Sequence, residues 1–223
     1  MKRLILAAFA LTTAASVFAQ GTVAFYNRNT AGTSHIYAPL TGNLSLSQVG
    51  NGTADIPAGT TSWAGFNGIG LNGLTGPYGG STTLAQLLAA NGANQPESSL
   101  VPSGQTTTFR TGTAAQGFIA LITDSLGNVP NDSAAATLEV VAWDNSSGNY
   151  PTWTQASVAW AAGLIAAGKG GAFTVNNIGG SVNTPPNMPG QSFNLYIQSI
   201  PEPSTFALAG LGAAALLIFR RRK

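Results

Sequence analysis

Few side chains in this sequence could do chemistry, because cysteine is absent and His35 is the single histidine. One imidazole without cysteine cannot form an ordinary structural zinc site. A Ser-His-Asp triad would have to recruit His35, but the sequence has no Gly-x-Ser-x-Gly nucleophile elbow and no carboxylate next to His35. We therefore predict a structural or surface role for His35, with no catalytic residue, no metal site and no cofactor.

Paired carboxylates are a second source of chemistry, since glycoside hydrolysis uses one as the acid and another as the base or nucleophile. Glu139 and Asp144 are five residues apart on or near one predicted strand. That separation puts them on opposite faces of a regular strand, so they do not face one common bond. Surface or turn roles are expected for both, with Asp144 in the turn at the strand end. The segments 124–128 and 144–149 place oxygen atoms near glycines, but neither matches the EF-hand pattern for calcium.

Aromatic side chains offer a binding chemistry, because their faces stack on sugar rings while nearby Asn and Asp groups form hydrogen bonds. Trp143, Tyr150 and Trp153 cluster where a strand end, a polar loop and a helix start would be neighbours. These three are the candidate glycan-binding residues. The alternative is that the rings pack the helix onto the sheet, because tryptophan supplies a large share of core area.

The elements that would position these residues follow from hydrophobic periodicity. Residues 136–144 form the clearest strand, with side chains alternating between two faces. After Thr152, apolar residues recur at helical spacing as far as Ala167. Residues 82–90 contain good helix formers and precede an Asn-Gly stop, which favours a helix; a strand imposed by pairing is the alternative.

The remaining chain shows short strands separated by long polar connections. Further strands are predicted at residues 22–26, 34–38, 106–111, 117–123, 172–175 and 192–198, with turns at 124–128 and 130–132. Such a pattern predicts a mainly β fold, an antiparallel β-sandwich or jelly-roll-like domain with one or two short helices.

Charge is concentrated at the two ends of the chain, so the net charge of +2 is misleading. The body, residues 20–199, has three basic and six acidic side chains and a net charge of −3. It has no basic stripe that could neutralise phosphates, which excludes nucleic acid as a partner. Its 180 residues are enough for one domain with a sizeable core.

The N-terminal residues 1–19 have the three parts of a secretory signal peptide. A basic start is followed by an apolar stretch from Leu4 to Leu11 and by small residues that end at Ala19. Cleavage between Ala19 and Gln20 would leave Gln20 at the new N-terminus. The chain is therefore expected to be exported.

The C-terminal residues 200–223 combine three signals in a fixed order. Pro201, Glu202 and Pro203 form an extended target, because two prolines hold the backbone away from helix. Residues 206–219 follow without a polar side chain and would form a single membrane-crossing helix of about 21 Å, short of the ~30 Å hydrocarbon core. The basic residues that stop it on the cytoplasmic side are Arg220, Arg221, Arg222 and Lys223.

This tail resembles the PEP-CTERM sorting signal of bacterial exported proteins, with the Pro-Glu-Pro motif, the apolar span and the arginine cluster all present. The resemblance implies recognition by an exosortase, a membrane protease-transpeptidase of bacteria that make extracellular polysaccharide. The body also resembles exported β-rich proteins of the same sorting class. The features that carry this weaker likeness are the segments 21–28, 109–112, 141–144 and 192–195.

Together these features predict a non-enzymatic cell-surface or matrix protein. The expected partners are the secretion machinery, an exosortase and, transiently, the membrane. The alternative function is an extracellular glycan-binding module associated with exopolysaccharide.

Overall fold

The computed structural model of the protein describes residues 20–30 and 32–199. The predicted signal peptide, its cleavage residue Ala19 and the predicted tail 200–223 lie outside these residues, whereas Gln20 is the first residue of strand β1. The fold is mainly β, with 39% strand and 7% helix. The strands are β1 Gln20–Phe25, β2 Arg28–Asn29, β3 Gly32–Thr33, β4 Ile36–Tyr37, β5 Thr83–Asn91, β6 Val101–Thr107, β7 Ile122–Pro130, β8 Ala135–Asp144, β9 Ala167–Lys169, β10 Phe173–Asn176 and β11 Phe193–Asn194. Helix α1 spans Trp153–Ala161, and a short 3-10 turn spans Glu97–Ser99.

A five-stranded antiparallel sheet forms the centre of the body. Strand β8 pairs with β5 along one edge, and β9 and β10 share its other edge, while β6 pairs with the far edge of β5. Strands β1 and β7 form a separate antiparallel pair, and β4 and β11 form a short parallel one. The predicted mainly β, antiparallel fold with a short helix is confirmed at this level; the sandwich or jelly-roll assignment stays a prediction.

Residues 82–90, for which the sequence favours a helix, lie almost entirely in strand β5, so that prediction is wrong. The nine residues of β5 pair with β8 from Thr83 to Asn91, and its alternate side chains enter two different hydrophobic clusters. Ala85 and Leu87 belong to one cluster and Leu88 to the other. A strand buried on both faces reads as a continuous apolar run, so backbone pairing and double burial outweigh the weak helix propensity of Ala and Leu.

Strand β8 confirms the predicted alternation and is buried on both faces. Leu138 and Val140 point into the first cluster, which also contains Val23 and Leu126 from the β1–β7 pair. Trp143 points into the second cluster, together with residues of helix α1. The central sheet is therefore covered by the β1–β7 pair on one face and by helix α1 on the other.

Helix α1 begins where the sequence predicts and ends earlier. Thr152 caps it by accepting a hydrogen bond from the Gln155 backbone N–H, as an N-cap residue does. The helix ends at Ala161, before Gly163 with φ +64°, and Ala167 instead opens strand β9. Ala167 is buried because β9 pairs with β8, and not because it lies on a helix face. The predicted extension of the helix to residue 167 is therefore wrong.

The segment between β6 and β7 also differs from the prediction. Residues 124–128, expected to form a turn, lie within β7, where residues 124–126 pair with β1 and where Asp124 and Leu126 are buried. Phe109 and Ile119, which lie in the predicted strands 106–111 and 117–123, form only an isolated bridge. Asp132 does lie in a turn, with φ +52°.

Candidate functional site

The predicted glycan-binding tryptophans lie in the second hydrophobic cluster. Trp143 is fully buried and Trp153 is 6% exposed, and their ring centroids are 5.8 Å apart. The Trp153 ring also contacts Trp160 at 5.9 Å, and the Trp143 Nε1–H donates to the Tyr150 carbonyl at 2.7 Å. Their ring faces are not accessible to a sugar. Both rings pack helix α1 onto the sheet, which is the alternative left open by the sequence.

The third predicted glycan-binding residue, Tyr150, lines a surface cleft of about 250 Å³ together with Asp144 and Tyr78. We name it the Tyr78–Tyr150 cleft. Its lining includes Asn149 and other polar groups of the loop after β8, and it also includes the apolar residues Leu164, Ile165 and Ile197. The cleft thus combines two aromatic rings, a carboxylate and an apolar wall.

Asp144 holds the polar wall of this cleft in shape. It ends β8, and its carboxylate accepts hydrogen bonds from the Ser146 N–H at 3.0 Å and the Ser146 hydroxyl at 3.1 Å. The predicted turn role of Asp144 at the strand end is therefore confirmed. Burial, and then the nearby Asp144 charge, raise the pKa of the Tyr78 phenol, so Tyr78 is a neutral hydrogen-bond donor at physiological pH.

His35 has a carboxylate partner that its sequence neighbours do not show. Its Nδ1 lies 2.6 Å from Oδ1 of Asp55, which is 3% exposed. The other Asp55 oxygen, Oδ2, accepts from the Gly52 N–H at 2.6 Å and from the Ser192 hydroxyl at 2.8 Å. The Ser192 oxygen in turn accepts the His35 backbone N–H at 2.7 Å. This cluster joins β4, the loop around Asp55 and the segment before β11.

The His35–Asp55–Ser192 cluster does not have the order of a catalytic triad. In a triad the serine donates to histidine and the histidine to the carboxylate. Here Ser192 and His35 both bond to Asp55, so the Ser192 proton points to Asp55 and the imidazole does not activate the hydroxyl. The geometry supports the structural role predicted for His35.

Aromatic rings extend from this cluster into a second cleft of about 380 Å³ lined by Tyr37, Asp55 and Trp63. The Tyr37 and Trp63 rings stack with centroids 4.3 Å apart, and Phe66 contacts Trp63 edge-on at 5.1 Å. Burial, with a smaller effect of the Asp55 charge, raises the pKa of Tyr37 to about 12. Because the rings cover one another, this row mainly fastens the long loop after β4 to the body.

Glu139 forms a charged cluster on the helix side of the sheet. Its side chain is 1% exposed, which corrects the expected surface role, and its Oε2 lies 3.8 Å from Lys169 Nζ. Lys169 Nζ also contacts Oε1 of the exposed Glu97 at 2.6 Å. Burial raises the pKa of Glu139 to about 7, against the opposing effect of Lys169.

Asp124, on strand β7 of the β1–β7 pair, is another buried carboxyl group. Oδ1 accepts the Gln105 N–H at 2.8 Å, while Oδ2 has no hydrogen-bond partner among the described residues. Burial raises the pKa of Asp124 to about 6, and the backbone N–H groups of Gln105 and Ser125 oppose that rise. Gly104, with φ +75°, packs directly against this carboxyl, where a Cβ would collide with it.

Within residues 20–30 and 32–199, no group of three or more His, Asp or Glu side chains is arranged to hold a metal ion. In the same residues no helix has both the length and the apolar character needed to cross a membrane.

The C-terminal end of the body leads directly into the tail. Tyr196 pairs with Ala167, the Ile197 N–H donates to the Leu44 carbonyl at 2.8 Å, and Ser199 is exposed. Residues 199–223 match the family description of the PEP-CTERM protein-sorting motif. The chain carries a PEP-CTERM sorting motif. This motif indicates an exported protein that is sorted at the membrane and implies recognition by an exosortase.

The PEP-CTERM match contains every residue predicted for sorting and membrane stop, from Pro201, Glu202 and Pro203 to Arg220, Arg221, Arg222 and Lys223. These residues lie outside the part that the structure describes. No curated protein and no solved structure matches the chain. The PEP-CTERM motif therefore gives the route of the protein, and the geometry of the body must supply the rest.

Sequence reasoning missed Asp55 as the partner of His35; it counted Tyr78 among the aromatic residues that could stack on sugars but did not place it beside Asp144. Asp55 is 20 residues from His35, and Tyr78 is 66 residues before Asp144, so neither pair has a spacing that would reveal it. The one local signal is Gly52 three residues before Asp55, a spacing that suits a turn closed by an Asp side chain.

Proposed function

We propose that this is an exported, non-enzymatic protein of the cell surface or extracellular matrix, which an exosortase sorts and cleaves near Pro203. The observation that carries the proposal is the PEP-CTERM match at residues 199–223. The signal-peptide pattern at residues 1–19 supports export from the other end. Residues 206–219 hold the precursor in the membrane until cleavage.

The geometry of the polar clusters supports a non-enzymatic body. Ser192 donates its proton to Asp55 and not to His35, which leaves the serine without a general base. Lys169 contacts Glu97 and also lies near Glu139, so it partly neutralises the two carboxyl groups. Neither cluster presents a nucleophile paired with a base to an open site.

Intact-mass measurement of the protein from its native envelope and culture medium tests the proposal. The expected product begins at Gln20 and lacks residues 206–223. Replacing Pro201, Glu202 and Pro203 with alanine should leave the full tail in place, because the extended target is lost.

The matched control is Glu97→Ala, which removes an exposed acid from the body without touching the tail. It should be processed as the native protein is. A mature product that retains residues 206–223, or normal processing after the alanine replacement, would contradict the proposal.

Glycan binding is the second candidate function, favoured by one observation. The Tyr78–Tyr150 cleft brings Tyr150 together with Asp144 and Tyr78, so part of the region suggested by the sequence is accessible even though its tryptophans are buried. This function adds to sorting and does not replace it.

A further inference from the structure

We infer that the Tyr78–Tyr150 cleft binds a single neutral sugar residue, such as one unit of an extracellular polysaccharide. The inference develops the glycan-binding function proposed above. It rests on export of the protein, because an extracellular sugar is encountered only outside the cell. It does not depend on where the tail is cleaved.

The size of the cleft limits the ligand. Its volume of about 250 Å³ lies just below the range of about 300 to 1,000 Å³ that suits drug-sized molecules. A group of one ring therefore fits, whereas a large cofactor does not. Because the cleft is open to solvent, a longer polymer can continue out of it on either side of the bound ring.

The lining of the cleft contains groups that suit both kinds of surface on a sugar ring. Leu164, Ile165 and Ile197 form an apolar wall for the C–H face of the ring, and Tyr150 adds an aromatic surface. Asp144 and Asn149 also line the cleft and supply carboxylate and amide groups suited to sugar hydroxyls. Leu164 is 69% exposed, so this wall holds apolar area that a ligand would cover.

The phenols of the cleft have hydrogen-bonding capacity left for a ligand. Among residues 20–30 and 32–199, the hydroxyls of Tyr78 and Tyr150 form no hydrogen bond with the protein, and they line the same cleft. The Asp144 oxygens each accept one hydrogen bond from Ser146, which leaves each a free acceptor position. The residues that line this one small cleft therefore offer two phenol donors and a carboxylate acceptor.

Charge favours a neutral sugar over an acidic one. Among residues 20–30 and 32–199, no lysine or arginine lines the cleft, and Asp144 contributes a negative charge there. The body as a whole has a net charge of −3. A uronate or sulfated sugar would place a second anion beside Asp144 with no cation to offset the repulsion.

A binding titration with the full-length chain in mild detergent tests the inference. The neutral probes are cellohexaose, maltohexaose and mannohexaose, and tetragalacturonate is the acidic probe. We expect saturable binding of at least one neutral probe and at least tenfold weaker binding of tetragalacturonate.

Three substitutions locate the site. Tyr150→Ala should weaken binding at least tenfold, because it removes a contact face. Tyr78→Phe and Tyr150→Phe remove single hydroxyls that have no protein partner, so the fold is retained while binding weakens about threefold to tenfold, the effect of one lost hydrogen bond. Ligand-detected NMR should place the protein contacts on the sugar C–H face.

Tyr37→Phe is the matched control, because it removes a phenol hydroxyl at the other aromatic cleft. It should bind as the native protein does. Three results would each overturn the inference: no saturable binding of any neutral probe up to about 10 mM, unchanged binding in Tyr150→Ala, or equal loss in Tyr37→Phe. The mass measurement of tail cleavage is independent, so failure of binding and failure of sorting are distinguishable.

Discussion

Asp55 and Glu139 are two buried carboxyl groups in one body, with 3% and 1% exposure, and their surroundings are opposite. Asp55 accepts three hydrogen bonds, from His35, Gly52 and Ser192. The Glu139 Oε2 has no hydrogen-bond partner among the described residues, and its nearest cation, on Lys169, is 3.8 Å away.

The difference shows that burial alone does not decide what a carboxyl group does. Three donors replace the water that Asp55 loses, so it can act as a link between distant segments. For Glu139 the Gly171 backbone N–H and Lys169 replace only part of the lost water, and burial outweighs them, so its pKa rises to about 7. Hydrogen bonds hold the Asp55 cluster together, whereas Glu139 changes its protonation near neutral pH.

The largest loss of stability is expected at Asp55, whose carboxylate is fully hydrogen-bonded. Asp55→Ala leaves the His35, Gly52 and Ser192 donors without their acceptor in a buried place. We expect the free energy of unfolding to fall by about 3 to 5 kcal/mol, because each buried donor left without an acceptor costs about 1 to 3 kcal/mol. Urea denaturation followed by tryptophan fluorescence measures it.

Asp55→Asn is the control for shape, because it keeps one acceptor oxygen and can turn its amide toward His35. The imidazole can present an acceptor nitrogen to that amide by changing tautomer. The loss should be less than half of that in Asp55→Ala. Equal losses in the two variants would mean that the negative charge, and not the acceptor geometry, holds the cluster.

A smaller change in stability is expected when pH alters the protonation of Glu139. The folded pKa of Glu139, about 7, exceeds its ordinary value of 4.5, so its stabilising effect is complete below pH 4.5 and is lost as pH rises to about 7. Asp124, with a pKa near 6 against 3.8, acts in the same direction at lower pH. We expect the thermal midpoint to fall on the order of 5 °C between pH 5 and pH 8.

Glu139→Gln separates this effect from other titrations, because glutamine keeps the shape and cannot ionise. The variant should lose most of the fall between pH 5 and pH 8 in calorimetry, while Glu97→Gln should retain it. A native protein that becomes more stable over this interval would contradict the contrast between the two carboxyl groups.

The smallest effect is expected from the exposed end of the Glu139 cluster. Glu97→Gln breaks a contact whose two side chains are 56% and 32% exposed, so the stability at pH 7 should change by less than about 1 kcal/mol. The negative charge of Glu97 raises the pKa of Glu139. Removing it should lower that pKa, measurable by carbon-13 NMR titration of the Glu139 carboxyl. A pKa that rises instead would show that Glu97 does not repel the buried carboxylate.

The local sequence pattern predicted an element correctly where strand pairing and burial favour the same structure as the pattern does. Strand β8 has a period of two because its faces enter different clusters, and Thr152 is recognisable as a helix cap. Strand β5 was the main failure, since Ala and Leu favour a helix locally while its neighbours β6 and β8 hold it as a strand. The predicted helix α1 was too long at its C-terminal end for the same reason, because Ala167 pairs with β8 as part of β9.

The candidate site was predicted only in part. Tyr150 and Asp144 are close in sequence and line the same cleft, but Tyr78 reaches it from another loop, and Leu164 and Ile197 come from two further segments. Which aromatic rings remain accessible depends on how the helix packs on the sheet. That packing buried Trp143 and Trp153.

The sequence by itself determined the route of the protein, because a sorting signal is read as a short linear segment and residues 199–223 match one. It also determined the mainly β class, since alternation is a local property of the chain. Only the tertiary structure decided which carboxyl groups find donors, that Asp55 meets His35, and that Tyr78 meets Tyr150. These are contacts between residues far apart in sequence, and burial and hydrogen bonding act on distances in space.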